Sequence, residues 1–151
     1  MEQDSPLAAH WSDEAYRSIF ESSLSPRKAW VAEERISSET ASSRAPGLIR
    51  RALVGFLVAR MLPEQCEVEN VVVVEGARRQ GVASRLLEEA IAWARAEGAR
   101  SVVLEVRQSN IAAIGLYRKF GFAACGIRSD YYREPCEDAA AYILSFESFA
   151  S

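Results

Sequence analysis

The clearest pattern of hydrophobic positions is a strand, a turn and a helix between residues 68 and 96. Four β-branched residues in a row, residues 71–74, predict a strand buried on both faces. After a polar turn, apolar side chains recur at helical spacing, at Val82, Leu86, Leu87, Ala90, Ile91 and Ala94. This spacing predicts a helix with one buried stripe that ends at Gly98. The turn therefore leads directly into a helix N-terminus.

The same reasoning predicts the other elements. Helices are predicted at residues 12–24 and 110–120, and strands at residues 28–34, 52–62, 66–74, 101–107, 122–127 and 140–146. Residues 36–47 lack periodicity and predict a loop inside a hairpin, and a second loop is predicted between the last two strands. Strands that alternate with helices indicate a single α/β domain with a mixed, mostly antiparallel sheet flanked by helices.

The turn before the long helix is the first candidate for ligand binding. The first N–H groups of a helix lack partners within it and carry partial positive charge, so a helix N-terminus can hold a phosphate. Gly81 lets the backbone approach a ligand, and Arg78 and Arg79 add positive charge. From spacing alone, an ordinary strand-to-helix turn with a solvated pair of arginines is an equal alternative.

Composition narrows the possible functions. The chain has 151 residues, of which 49% are hydrophobic, as expected for one globular domain. The N-terminus does not resemble a signal peptide, and no apolar run approaches the ~20 residues needed to cross a membrane. Three cysteines and a single histidine argue against a metal site and favour reduced thiols in the cytoplasm. A net charge of −3 argues against nucleic-acid binding.

Residues 78–83, R-R-Q-G-V-A, resemble the R/Q-x-x-G-x-G/A turn of the GNAT superfamily of N-acetyltransferases. In that family, backbone amides of this turn hold the pyrophosphate of acetyl-CoA, and the preceding strand pairs with the pantetheine arm. The resemblance therefore implies a set of acetyl-CoA contacts in this chain: Val71, Val72, Val73, Arg78, Arg79, Gln80, Gly81, Val82, Ala83, Ser84, Asn110 and Tyr117.

Two later blocks resemble the RimI-type ribosomal-protein alanine N-acetyltransferases of that superfamily. They are L-E-V-R-Q-S-N at residues 104–110 and L-Y-R-K-F-G-F at residues 116–122. The resemblance continues through I-R-S-D-Y-Y at residues 127–132 and E-D-A at residues 137–139. It implies transfer of an acetyl group from acetyl-CoA to a protein N-terminus, most plausibly the N-terminal alanine of a small-subunit ribosomal protein.

The resemblance also implies roles in the reaction. Glu105 matches the general base and Tyr117 the general acid, with Glu67 as a rival base. A carboxylate acting through a water can deprotonate an α-amino group, whose pKa is roughly 7.7–8.0, and a phenol can protonate the departing thiolate. The peptide end of the cleft would be lined by Tyr131, Tyr132, Glu137 and Asp138.

Other interpretations remain open at this point. Taken singly, Glu105 could be a strand-end carboxylate paired with Arg107, and Tyr117 a packing residue of an amphipathic helix. The acceptor could instead be a small amine or a lysine side chain, or the chain could be a non-catalytic CoA-binding module. Only ten residues precede Trp11, so the first strand and helix of the family are expected to be shortened or missing, or the reading frame to start upstream.

Overall fold

The computed structural model describes residues 25–37 and 49–147. Within this part of the chain the strands and α-helices are β1 (Arg27–Ser37), β2 (Ile49–Leu62), β3 (Gln65–Val73), α1 (Val82–Ala96), β4 (Ser101–Arg107), α2 (Ile111–Lys119), β5 (Ala123–Arg133) and β6 (Cys136–Ser145). A short 3-10 helix, Glu75–Ala77, lies between β3 and α1. The six strands form one sheet in the order β1-β2-β3-β4-β6-β5. The β3–β4 pair is parallel and the other four pairs are antiparallel, so the predicted mixed sheet is confirmed.

Both helices pack on one face of the sheet. The apolar stripe of α1, with Leu86, Leu87, Ala90 and Ala94, joins alternate side chains of β3 and β4 in one buried cluster. Side chains alternate between the two faces of a strand. Val68 and Leu104 therefore point to the helices, whereas Glu67 and Glu105 lie on the opposite face of the sheet. This assignment sets the two candidate bases apart from the core.

The predicted strand, turn and helix are present with small corrections. Helix α1 covers residues 82–96 as predicted, and Gly98 follows it with a φ of 84°. The expectation that residues 71–74 are buried on both faces is wrong. Val72 is 1% exposed, but Val71 and Val73 on the other face are only partly buried. That face carries charged side chains earlier in the same strand, so it is not a second core.

The predicted loop between the last two strands is also wrong, because β5 and β6 continue through it as a long hairpin. Tyr131, Tyr132, Glu137 and Asp138 therefore lie on strands. Strand β5 is the edge of the sheet and all but one of its side chains are exposed. Such a strand has no alternation of apolar and polar residues to reveal it. A break in the pairing register at residues 128–132 further disguises the strand.

Several predictions fall on other parts of the chain. The helix at residues 12–24, the question of a missing first strand, and most of the loop at residues 36–47 lie outside the described residues. The hairpin that contains this loop is confirmed, because β1 and β2 pair antiparallel from Arg27–Arg60 to Ser37–Ile49. Neither described helix is long and apolar enough to cross a membrane.

Candidate active site

The turn before α1 has the geometry of a ligand-facing helix N-terminus. Gly81 is the N-cap residue of α1, with a φ of 78°, and Arg79 also has a positive φ of 64°. A Cβ atom placed on Gly81 would meet no other atom within 4 Å, so the space in front of the turn is open. The first N–H groups of α1 have no acceptor within the helix. They therefore stand beside a space that a ligand can enter.

The turn is fixed by its own side chains. The Arg78 guanidinium donates a hydrogen bond to the carbonyl of Val73 at 3.2 Å. The Gln80 amide donates to the carbonyl of Gly76 at 3.3 Å. The backbone N–H of Arg78 also donates, to the carbonyl of Glu75 at 3.2 Å. These bonds give two of the predicted cofactor residues structural roles in the turn. Contacts of the turn with acetyl-CoA remain a prediction.

Gly55 of β2 packs closely against the strand and the helix that flank this turn. It was not among the predicted site residues. A Cβ atom at this position would lie 2.9 Å from the carbonyl oxygen of Val72 and 3.2 Å from a methyl group of Val82. Only glycine therefore lets β2 approach both β3 and the start of α1 this closely. An isolated glycine inside a strand pattern is the signal that could have revealed it.

Strands β3 and β4 separate after a short paired section. Their parallel register runs from Gln65–Ser101 to Val68–Leu104. Val71, Val72 and Val73 pair with β2 on one side, and no residue of β4 lies opposite them in the described part of the chain. Main-chain groups on this open side can pair with an extended ligand. The opening has the turn before α1 near one end and Glu105 on its β4 wall.

Glu105 binds an arginine from the edge strand. Its Oε1 accepts a hydrogen bond from Nη1 of Arg128 at 2.8 Å, not from Arg107. The pKa of Tyr131 is raised by partial burial and by the charge of Glu105, to which its phenol also hydrogen-bonds. The candidate base therefore lies between a cation and a phenol, both contributed by β5.

Glu67 lies on the same face but in a different network. It accepts a hydrogen bond from Arg60 at 2.5 Å, and Arg60 is also 3.6 Å from Glu69. Glu69 is held in turn by two hydrogen bonds from Arg27, at 2.9 and 3.1 Å. The negative charge of Glu67 contributes to the raised pKa of Tyr131, as that of Glu105 does. The fold thus brings both candidate bases close to one phenol.

Tyr117 belongs to α2 and lies on the face of the sheet opposite to Glu105. Its ring is 7% exposed, belongs to the core cluster with Leu104, and stands 5.9 Å from the ring of Phe122. Burial raises the pKa of this phenol well above its usual range, with a smaller contribution from Tyr132. The phenol therefore keeps its proton at neutral pH and can donate a hydrogen bond. Because Glu105 faces the opposite side, the two groups can act on one ligand only through the opening between β3 and β4.

Three predicted site residues make internal hydrogen bonds. Asn110 caps α2, because its side-chain oxygen accepts a bond from the N–H of Ala113 at 3.2 Å. Asp138 accepts from the N–H of Asp130, at the irregular part of β5, at 2.9 Å. Glu137 accepts from the N–H of Ser109 at 2.7 Å and from its hydroxyl at 2.8 Å. Their proposed contacts with cofactor or peptide remain predictions, and any such contact would be additional to these bonds.

Arg107 attaches the β5–β6 hairpin to β4 and was missed as a structural residue. It is 3% exposed and donates hydrogen bonds to the carbonyls of Pro135, at 2.9 Å, and Glu134, at 3.1 Å. Its guanidinium lies 4.1 Å from the ring centre of Tyr132 and 3.8 Å from the carboxylate of Glu137. Burial raises the pKa of Tyr132 to about 12, so this ring is a neutral packing partner.

The described residues offer neither a metal cluster nor an activated thiol in the core. No group of three or more His, Cys, Asp or Glu side chains in this part of the chain is arranged to hold a metal ion. Burial raises the pKa of the Cys66 thiol to about 11, so it stays protonated. The exposed Cys136 has a raised pKa as well, because of its hydrogen bond to Asp130.

The comparison with protein families agrees with this geometry. The model of the Acetyltransferase (GNAT) family matches residues 3–122. This range is most of the 151-residue chain. The chain therefore belongs to the GNAT acetyltransferase family.

Two named relatives each match a little more than half of the chain. The N-alpha-acetyltransferase RimI of Mycobacterium tuberculosis is 38% identical over 91 residues, which are 58% of this chain and 56% of that protein. The ribosomal protein bS18-alanine N-acetyltransferase of Escherichia coli strain K12 is 35% identical over 80 residues, 53% of this chain and 54% of that protein. The chain thus spans about half the length of the curated relatives it matches.

Solved structures show the same fold. The crystal structure of the Escherichia coli ribosomal-protein-S18-alanine N-acetyltransferase has a TM-score of 0.69 at 24% identity and covers 98% of this chain and 86% of that one. A GNAT family acetyltransferase from Elizabethkingia anophelis with acetyl-CoA bound has a TM-score of 0.60 at 18% identity, covering 77% of this chain and 98% of that one. At these identities the likeness concerns the fold alone.

Proposed function

We propose that this protein transfers the acetyl group of acetyl-CoA to the α-amino group of a protein N-terminus, the N-terminal alanine of a small-subunit ribosomal protein. The observation that carries the proposal is the position of Glu105 on the β4 wall of the opening between β3 and β4. The names of the two relatives supply the acceptor class. Family membership supports the transfer of an acetyl group.

The residues of the opening fit acetyl-CoA. The pyrophosphate would lie against the turn that includes Arg79 and Gly81, where the N–H groups at the start of α1 favour an anion. The pantetheine arm would pair with the open side of residues 71–73. The bound cosubstrate supplies an acetyl thioester at the end of this arm. The open space in front of Gly81 is what such a fit requires.

The protein then needs to supply only a base and a proton donor for the reaction. Glu105 would remove a proton from the acceptor's ammonium through a water, and the free amine would attack the thioester carbon. Tyr117 would donate a hydrogen bond to the departing sulfur, which its raised pKa and neutral state allow. The C–N bond forms, the C–S bond breaks, and the second proton of the nitrogen balances the one gained by the CoA thiolate, so no acyl-enzyme is needed. Glu67 remains the alternative base.

The test is a turnover assay with a peptide that begins with alanine and also contains one internal lysine. We expect release of free CoA thiol and, by mass spectrometry, one acetyl group on the N-terminal nitrogen. The control is the same peptide with its N-terminus already acetylated, which should release no thiol. An acetyl group found only on the lysine would refute the acceptor class. Binding of acetyl-CoA and peptide without turnover would favour a non-catalytic module.

The remaining expectations about the acceptor follow from the same proposal. Tyr131, Tyr132, Glu137 and Asp138 would contact the peptide, directly or by shaping the hairpin that borders it. Two of them already contact neighbouring strands or loops: Tyr131 hydrogen-bonds to Glu105, and Glu137 accepts a hydrogen bond from the N–H of Ser109. The cytoplasmic location and the absence of nucleic-acid and membrane partners stay predictions.

A further inference from the structure

The two candidate bases differ in the exposure and the number of partners of their counter-ions. Arg60, the partner of Glu67, stands in β2 between two other strands and also lies near Glu69. Its side chain is 30% exposed. Arg128, the partner of Glu105, stands on the edge strand β5, has one carboxylate partner and is 61% exposed. Glu105 can therefore exchange its cation for another far more easily than Glu67 can.

The surroundings of Arg128 describe a small cation site. Glu105 faces it from β4, the ring of Tyr131 lies 5.0 Å from its guanidinium on β5, and the charge of Glu67 acts on it from β3. Two carboxylates and an aromatic face favour any cation at this place. Across the described strands, Arg128 is the cation that binds Glu105.

We propose that Arg128 occupies the position of the acceptor's ammonium group, and that the acceptor binds by displacing it from Glu105. The inference rests on the proposed function, because it assumes that Glu105 receives the proton of the acceptor amine. An α-amino group is largely protonated at neutral pH and competes for the carboxylate as a cation. The displaced guanidinium can remain on the ring of Tyr131. Because the pair is exposed, its displacement costs little.

The same competition would assist release of the product. Acetylation turns the ammonium into an amide, and the nitrogen loses two protons: one passes through Glu105 to solvent, and the other ends on the CoA thiolate. The amide nitrogen carries no charge and no longer competes for Glu105. Arg128 then returns to the carboxylate and occupies the acceptor position. The edge strand thus supplies a counter-ion that distinguishes substrate from product by charge.

The experiment measures peptide binding without turnover. The protein is saturated with CoA, which carries no acetyl group, and titrated calorimetrically with an alanine-first peptide. We expect Arg128→Gln to bind this peptide about twofold to fivefold more tightly than the wild type, as suits the loss of an exposed competing ion pair. Arg128→Lys keeps a cation and should stay closer to the wild type. Arg128→Gln should tighten the binding of the N-acetylated peptide much less.

Two further variants separate this competition from a general effect of charge. Arg133→Gln removes the same charge from an exposed position on the same strand and should leave the peptide's Kd unchanged. In a Glu105→Gln background, Arg128→Gln should no longer tighten binding, because the carboxylate for which the two cations compete is absent. An equal gain from Arg133→Gln, or an undiminished gain in that background, would overturn the inference.

The outcomes also separate this inference from the proposed function. If the wild type acetylates the peptide but Arg128→Gln leaves its Kd unchanged or weakens binding, the function stands and the inference fails. Weakened binding would assign Arg128 to holding the acceptor. If the wild type acetylates only lysine or a small amine, the proposed acceptor fails, and the titration with that amine decides the role of Arg128 by the same criteria. If no amine binds to either protein, both proposals fail.

Discussion

The turn before α1 and the β5–β6 hairpin border the same opening, but they are held in place by different kinds of contact. The hydrogen bonds that fix the turn join residues five and four positions apart, Arg78 to Val73 and Gln80 to Gly76. Those that place the hairpin span 23 and 28 positions, from Arg128 to Glu105 and from Arg107 to Pro135. The side proposed to bind the cofactor is therefore built locally, and the side proposed to bind the acceptor depends on the completed sheet.

This difference separates the expected effects of substitutions. A change in the turn should affect acetyl-CoA binding with little effect on the acceptor site. A change in the hairpin should affect the acceptor and the stability of the sheet together, because the same residues serve both. Glu105 lies between the two regions, because it is a residue of β4 and its carboxylate binds Arg128 of β5.

The largest expected effect is the loss of acetyl-CoA binding in Gly81→Leu. The φ of 78° disfavours any side chain, and a leucine would fill the open space in front of the turn. Ligand present at about 100 times its Kd stabilises a protein by about 2.7 kcal/mol. We expect the variant to lose the thermal shift that acetyl-CoA gives the wild type.

Gly98→Leu is the matched control for this experiment. Gly98 follows the other end of α1 with a similar φ of 84°, and a Cβ there would also meet no atom within 4 Å. Both variants should lose a similar amount of stability from backbone strain. The control should keep the acetyl-CoA shift. Loss of the shift in both variants would mean that strain, and not contact with the ligand, explains the result.

The next largest effect is a fall in kcat when a residue proposed to transfer a proton is replaced. We expect Glu105→Gln to lower kcat by roughly 10²–10⁴ if Glu105 is the sole base, and Tyr117→Phe to fall in the same range if its phenol is the sole donor. Glu67→Gln is the control, because it is isosteric and lies on the same face. A loss below tenfold in Glu105→Gln, with a larger one in Glu67→Gln, would transfer the role of base to Glu67. Steady-state kinetics measured by thiol release give the answer.

Arg107→Ala should loosen the hairpin. The variant loses two hydrogen bonds to backbone carbonyls and the contact with Tyr132. We expect a fall of about 2 kcal/mol in the free energy of unfolding, measured with urea, together with a higher KM for the peptide and an unchanged Kd for acetyl-CoA. Arg133→Ala, at an exposed position of the same hairpin, should change stability far less. A weakened acetyl-CoA Kd in Arg107→Ala would contradict the separation of the two sides.

The smallest effect is a pH dependence of the hairpin's attachment. Hydrogen bonds from the backbone and hydroxyl of Ser109 lower the pKa of Glu137 below its usual range. A carboxylate with a depressed folded-state pKa stabilises the protein above its unfolded pKa, and this contribution is lost as the pH falls through the folded value. Stability measured from neutral to acidic pH should therefore decline less steeply in Glu137→Gln than in the wild type. Identical profiles of stability against pH in the two proteins would show that Glu137 does not contribute to this pH dependence.

The sequence was a good guide where the signals are short in range. Helix α1 and strand β4 have their predicted residues, and the helix predicted from residue 110 is present with Asn110 as its cap. Periodicity and capping depend on residues within a few positions of one another. The hairpin was misread because its edge strand is exposed and irregular, so its pairing with β6 leaves no local pattern.

The amino-acid sequence by itself determined the strand, the glycine turn and the helix, and it supplied Glu105 and Tyr117 as candidates for the proton transfers. Only the tertiary structure decided that Glu105 pairs with Arg128 and that Arg107 is buried as an attachment point. It also decided that Glu105 and Tyr117 stand on opposite sides of β4. The physical reason is distance along the chain, because pairs more than 20 residues apart are chosen by the register of the sheet.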